Sequence, residues 1–97
     1  MTDDTVELGG NIQLSGFKDV ERASLVIVKK IVGSYARKLS DSMQDFEKLS
    51  VELEGSFSVK ATLNAGGREF VDESKAKNLF FALDAALKGV ESKATTH

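Results

Sequence analysis

The chain has 97 residues, 41% of them hydrophobic and 29% charged, a composition typical of one globular domain rather than of a disordered chain. It contains no cysteine, which excludes disulfides and thiolate metal sites, and it has no apolar run long enough to span a bilayer. The net charge of −2 argues against indiscriminate nucleic-acid binding. The acidic start, MTDDTVELGG, differs from a signal peptide, so we expect a cytoplasmic protein without a membrane segment.

The first residues predict a leader followed by a strand. Residues 1–10 are polar and end in Gly9-Gly10, which favours a flexible leader, although the alternation of Val6 and Leu8 would also suit a strand. Ile12 and Leu14 then alternate with polar residues, which predicts a short strand with one buried face. We expect a single domain over residues 11–93 and a frayed tail at 94–97.

A helical period begins at Asp19, which we predict as the N-cap, and the helix is expected to end near residues 40–43. Gly33 lies in its middle at a cost of about 1 kcal/mol relative to alanine, so either something approaches the backbone there or the glycine is merely tolerated. The predicted buried stripe, with Ile31 at its margin, is Leu25, Val28, Val32, Tyr35 and Leu39.

The second half predicts three strands and a helix. Residues 49–54 and 57–63 alternate on either side of Gly55-Ser56 and predict a hairpin, and Gly66-Gly67 predicts a second turn before a short edge strand over 68–71. Asp72 or Ser74 is expected to cap the last helix. Its predicted core stripe is Ala76, Leu79, Phe80, Leu83, Leu87 and Val90.

This order predicts an α/β (α+β) fold, a two-layer β-α-β-β-β-α sandwich. Each strand has one apolar face and each helix one apolar stripe, so both helices should pack on one face of a four-stranded sheet. The first two strands are joined through a helix, so they could be parallel neighbours.

The sequence offers little for catalysis. The only histidine, His97, is the last residue, and the serines have no evident activating partner. The carboxylates are scattered, and the glycine pairs are too short for a phosphate-binding loop. We therefore predict a protein that is not an enzyme and that has no metal site and no cofactor.

The candidate binding residues are the cations on the solvent side of the two predicted helices. On the first helix four cations project within an arc of about 100°, which also holds Val26 and Gly33. On the second, an exposed phenylalanine lies between lysines, as in proteins that hold RNA phosphates and stack on a base. The charges could instead be only solvated, and the phenylalanine could pack between the helices or form a dimer contact. The candidates are Arg22, Lys29, Lys30, Arg37, Lys75, Lys77, Phe81 and Lys88.

The chain resembles the ribosome hibernation promoting factors, also called ribosome-associated translation inhibitors. The resemblance covers about residues 11–93 and is clearest in SVELEGSFSVKATLNAGGREFVDESKAKNLFFALDAALKGVESK. In that family a strand ending in an AT-L pattern, here Ala61-Thr62-Leu63, precedes a glycine turn, a strand and an A-D-L helix, here Ala82-Leu83-Asp84. Compared with typical members, this sequence has fewer cations on its helices and lacks a basic C-terminal run.

The resemblance implies a cytoplasmic factor that binds the small ribosomal subunit in the channel for messenger and transfer RNA. Such a factor would inhibit or protect idle ribosomes when growth stops, a stress response that regulates translation. Family members contact ribosomal RNA through basic residues on both helices, which correspond here to the seven cations named above.

Two alternatives stay open. SFSVKATLNAGG followed by ESKAKNLFFALDAAL is also similar to the end of a double-stranded RNA-binding domain, whose last helix grips phosphates from its first turn. The matching residues would be Ser74, Lys75, Ala76 and Lys77. The other alternative is a protein-interaction or self-associating module, such as a homodimer, in which Phe81 and Val26 are contact residues and RNA has no role.

Overall fold

The computed structural model describes residues 6–7, 11–18, 20–55 and 57–95. The predicted two-layer α+β fold is confirmed, with two helices on one face of a mixed sheet and the order β-α-β-β-β-α for the longer elements. The elements are β1 (Val6–Glu7), β2 (Ile12–Ser15), α1 (Arg22–Ser42), β3 (Phe46–Glu54), β4 (Ser58–Ala65), β5 (Arg68–Lys75) and α2 (Leu79–Thr95).

The sheet has the strand order β1-β2-β3-β4-β5. Strands β2 and β3 are parallel, as the helical crossover between them predicts, and the other neighbouring pairs are antiparallel. Leu14 pairs with Val51 and Val51 pairs with Ala61, so one apolar row crosses the three central strands. Because side chains alternate between the faces of a strand, this register places Leu14, Val51 and Ala61 on the helix side.

Residues 6–7 form strand β1, although they were predicted as part of a flexible leader. Val6 lies opposite Leu14 and Glu7 opposite Gln13, which makes the sheet five-stranded rather than four-stranded. The reason is that β2 has an edge whose backbone groups accept a neighbouring strand, and the alternation at Val6 suits that pairing. The rest of the predicted leader, residues 1–5 and 8–10, lies outside the described residues.

The core lies between the helices and the sheet as one cluster of buried apolar side chains. Val28, Val32 and Leu39 of the predicted α1 stripe are buried, while Leu25 and Tyr35 are half-buried beside them. Phe17 is a core residue, only 1% exposed, that the sequence pattern does not predict. A turn in which the Val20 amide donates to the Phe17 carbonyl at 3.0 Å carries the ring inward.

This turn also moves the start of α1. The helix begins at Arg22 after Glu21, and no side chain caps it. The predicted N-cap at Asp19 was wrong, because the helix starts later, at Arg22, beyond the turn from Phe17 to Val20. Asp19 itself lies outside the described residues. At the other end the Met43 amide donates to the Leu39 carbonyl at 2.8 Å, which agrees with the predicted end of the helix.

The segment after Gly66-Gly67 differs most from the prediction. Both glycines have positive φ, 58° and 78°, as a two-residue hairpin turn requires, and β5 then pairs with β4 as far as Lys75. The short strand over 68–71 and the caps at Asp72 or Ser74 were wrong, because both residues lie within β5. Helix α2 begins at Leu79, where the Asn78 side-chain oxygen accepts a hydrogen bond from the Phe80 amide at 2.7 Å.

The end of α2 is packed rather than frayed as far as Thr95. Lys93 forms an ion pair with Asp72 at 3.2 Å and also donates to the Val71 carbonyl at 2.5 Å. Ala94 is only 9% exposed, and the Thr95 hydroxyl donates to the Glu91 carbonyl at 2.8 Å. These contacts explain why the predicted frayed tail was wrong at residues 94–95; residues 96–97, with His97, lie outside the described part of the chain.

Candidate nucleic-acid interface

The structure brings four of the predicted residues together on α1. Helix α1 carries five cations and one carboxylate, Asp41, and four of the cations share an arc of about 100° on the side away from the core. Three of them are exposed and Lys29 is half-exposed. None of the four forms an ion pair with a carboxylate among the described residues. We call this surface the basic arc; its members are Arg22, Lys29, Lys30 and Arg37.

The position of α2 explains why the basic arc is open. The two helices meet along a polar seam, where the Tyr35 hydroxyl donates to Asp84 at 3.0 Å and Lys38 pairs with Glu91 at 3.0 Å. On α1, Tyr35 and Lys38 lie more than a right angle from the middle of the basic arc, at about 100° per residue. The carboxylates of α2 therefore neutralise Lys38 and leave the basic arc to solvent.

The contacts of Tyr35 in this seam predict how its hydroxyl titrates. Burial, with the hydrogen bond to Asp84 and the charges of Asp84 and Glu91 as further causes, raises the pKa of Tyr35 from its ordinary value of about 10 to about 12. The folded state therefore holds the phenolic proton more tightly, so this contribution to stability is complete below pH 10 and is lost as pH rises from about 10 to about 12.

Absorbance near 295 nm measures this directly, because Tyr35 is the only tyrosine and the chain has no tryptophan. We expect a midpoint near pH 12 in the folded protein and near pH 10 after unfolding in urea. Asp84→Asn is the matched variant, which should move the folded midpoint toward 10. A midpoint near 10 in the wild type would show that the seam is not formed in solution.

The three lysines predicted on the second helix do not join the basic arc. Lys88 is on α2 but pairs with Asp84 at 3.3 Å. Lys75 lies in β5 opposite Ser58, on the face of the sheet that the helices leave uncovered. Lys77 is exposed in the link between β5 and α2. The prediction that Lys75 and Lys77 lie on the second helix was wrong, because β5 continues to Lys75 and α2 begins only at Leu79.

Phe81 lies on the solvent side of α2 and is 70% exposed. At about 100° per residue it projects opposite the buried stripe of α2, whereas Phe80 is the ring that packs against the core. Phe81 therefore does not pack between the helices, which was one interpretation of the sequence. Two further apolar side chains of the helix layer are exposed on α1, Val26 at 49% and Ile27 at 46%, and the sequence analysis singled out only Val26.

The opposite side of the molecule carries charges of both signs. The open sheet face, meaning the side chains of β3, β4 and β5 that point away from the helices, carries Glu52, Glu54, Glu69 and Glu73 beside three lysines. A hydrogen bond between the Glu54 and Glu73 carboxyl groups raises the pKa of Glu54 above its ordinary value. With four carboxylates among its three lysines, this face is less attractive to a polyanion than the basic arc.

A cavity of about 340 Å³ lies beside the β4–β5 turn. Asp45 and Arg68 are its ionisable lining residues within the described chain, together with five apolar or small ones. This lining supplies no hydroxyl, thiol or imidazole nucleophile. The described residues also form no cluster of three or more side chains able to hold a metal ion. The basic arc is therefore the better candidate site.

Comparison with models of known protein families finds no match to the chain, and comparison with curated proteins finds none either. Within the described residues, neither helix combines the length and the apolar character needed to cross a bilayer. The resemblance to the ribosome hibernation factors stays a prediction. In the related prediction from double-stranded RNA-binding domains, Ser74 and Lys75 were to open a helix, but both lie in β5.

Proposed function

We propose that this protein binds ribosomal RNA through the basic arc, as a stoichiometric factor that inhibits or protects idle ribosomes. The observation that carries the proposal is selective pairing of charge. Among the seven cations of the two helices, Lys38, Lys88 and Lys93 each contact a carboxylate, whereas no member of the basic arc does so within the described chain. Cations without an internal partner are available to phosphates.

The proposed binding of RNA is supported by where the charges lie rather than by the net charge of the chain. The chain is slightly anionic, yet the excess of cations on α1 is separated from the carboxylates of the open sheet face by the whole thickness of the core. At physiological salt a charge is screened within about 8 Å, so a polyanion approaching α1 responds mainly to the basic arc. A net charge of −2 is therefore compatible with a local grip on RNA.

The choice of ribosomal RNA rests on the resemblance over residues 11–93. The two-layer fold agrees with that resemblance. The family further implies a cytoplasmic protein that occupies the small subunit and performs no covalent chemistry, and both are part of the proposal. We place the contact on α1 alone, because Lys75 is on the opposite sheet face and Lys88 is paired.

Salt dependence of binding to purified small ribosomal subunits tests the proposal. Neutralising about four phosphates predicts a slope of about −3 for log affinity against log salt, so raising salt from about 50 to about 200 mM should weaken binding roughly 50- to 150-fold. Sedimentation of the protein with the subunits at each salt concentration measures this. Binding that changes less than about fourfold over this range would contradict the proposal.

A second candidate function is a protein contact at Phe81, favoured by its 70% exposure. An apolar contact should respond little to salt because it releases no counterions. In the same sedimentation assay Phe81→Ser separates the two candidates. Loss of binding in this variant, with weak dependence on salt, would favour the apolar contact over the basic arc.

A further inference from the structure

Gly33 lies within the basic arc, and no contact inside the described chain explains why this position is a glycine. It is in the middle of α1, half-exposed, on the surface that faces away from the core. Glycine is the least favourable residue in a helix interior after proline, so its presence there needs a cause. A Cβ built at Gly33 would meet no atom within 4 Å. No packing inside the described chain therefore requires a residue without a side chain at this position.

Gly89 of α2, in contrast, is a helix glycine that a contact within the molecule does require. A Cβ at Gly89 of α2 would overlap the carboxylate of Asp72, which approaches the helix to pair with Lys93. Gly89 thus makes room for a contact within the molecule. Gly33 leaves room of the same kind on a surface where no atom of the described chain fills it.

The cations around Gly33 have a regular spacing. With a rise of about 1.5 Å per residue, Arg22, the pair Lys29 and Lys30, and Arg37 form three levels about 11 Å apart along α1. Gly33 lies between the second and third levels and, at about 100° per residue, in the middle of the arc. It is the floor of a shallow notch bordered by cations on both sides.

The composition of the basic arc indicates which part of a nucleic acid fits the notch. Residues 22–37 include no carboxamide, and the one ring among them, Tyr35, is held in the seam with α2. Unpaired bases are usually held by exposed rings, on which they stack. Apart from the exposed Val26, the arc offers long cations and bare helix backbone, which suit a sugar–phosphate strand whose bases are turned away.

We infer that Gly33 is the point at which the sugar–phosphate backbone of a paired RNA lies against α1, between Lys29 and Lys30 on one side and Arg37 on the other. This inference rests on the proposed function and deepens it, since it names the part of the RNA that is recognised. The missing side chain lets a strand approach the helix closely enough for cations on both sides to reach its phosphates. Binding of this kind selects paired RNA without regard to its sequence.

Substitutions at Gly33 and at its neighbour test the inference. Gly33→Ala should raise the melting temperature by roughly 4 °C, because alanine favours the helix and the position has room. Gly33→Leu should bind a short RNA duplex at least tenfold more weakly than the wild type. Ser34→Leu is the matched control, since Ser34 is exposed and lies outside the basic arc, and it should change affinity less than twofold.

The probes are a loop-free RNA duplex and an unpaired uridine oligomer of the same length, measured by fluorescence anisotropy at fixed salt. We expect the duplex to bind at least tenfold more tightly than the oligomer. Equal duplex binding by Gly33→Leu and the wild type would overturn the inference and leave the proposed function standing. A wild type that binds neither RNA nor ribosomal subunits would overturn the proposed function itself.

Discussion

Replacing Gly16 with alanine is expected to lower the free energy of unfolding by about 3 kcal/mol. Gly16 has φ of 78°, a left-handed conformation that disfavours every residue with a Cβ by roughly 1–2 kcal/mol. A Cβ there would also overlap the backbone oxygen of Leu53, which the β3–β4 ladder holds in place. Urea unfolding followed by circular dichroism measures the loss, which is large against a total of about 5–15 kcal/mol for a small domain.

Gly55→Ala is the matched control for this substitution. Gly55 has almost the same φ, 75°, but a Cβ at this position meets no atom within 4 Å. It should therefore show only the backbone penalty of roughly 1–2 kcal/mol. Equal losses at the two glycines would mean that β2 does not approach Leu53 as closely as the structure shows.

Gly16 matters for the candidate interface because it comes just before the turn that positions α1. The chain leaves β2 at Ser15, reverses through Gly16, and buries Phe17 before the helix begins at Arg22. Phe17 could not be predicted as core, because it stands between a glycine and a lysine with no periodic neighbour. Its burial, rather than a local cap, sets where α1 starts and hence which way the basic arc faces.

The elements that could be predicted are those in which burial leaves a periodic mark. Val51 and Leu53 alternate with glutamates, so β3 was predicted apart from its first three residues. Val28, Val32 and Leu39 repeat at a helical period, so the apolar stripe of α1 was predicted apart from Ala36. The basic arc follows from the same period, because the phase of the buried stripe fixes the phase of the opposite surface.

The boundary between β5 and α2 could not be predicted because distant contacts determine it. Asp72 points to the helix side of β5, a position where a charge is costly without a partner. Its partner is Lys93, about four turns along α2, and the space that Asp72 occupies depends on Gly89. A local reading treats Asp72 as a helix cap, since nothing near it in sequence shows that it is paired within a strand.

The boundary between β5 and α2 affects which residues belong to the candidate site, whereas the order of the longer elements in the fold is as predicted. With the helix starting at Leu79, the run from Ser74 to Lys77 no longer presents two lysines on a first helical turn. Lys88 lies on α2 as predicted, but it forms an ion pair with Asp84, four residues before it. The predicted basic strip on α2 is therefore interrupted by a carboxylate. The sequence therefore predicted the helix that carries the basic arc, but it extended the candidate interface to lysines that the structure places elsewhere or pairs.

Reversing the charge of Lys29, Lys30 and Arg37 together to glutamate is expected to weaken binding to small ribosomal subunits by at least about 100-fold at about 100 mM salt. Each of these cations that meets a phosphate contributes roughly 0.7–0.9 to the salt slope, so the slope should also fall toward about −1. The fold should survive, because these side chains form no ion pair with a described carboxylate and glutamate favours the helix.

The matched control reverses Lys48, Lys75 and Lys77, which changes the net charge by the same amount away from the basic arc. Lys48 and Lys75 lie on the open sheet face and Lys77 precedes α2, so screening over about 10 Å should limit their effect to a few-fold. Circular dichroism of both variants checks that they are folded. Equal loss of binding in the two would show that total charge, and not the arrangement of cations on α1, governs the contact, and the interface described here would be wrong.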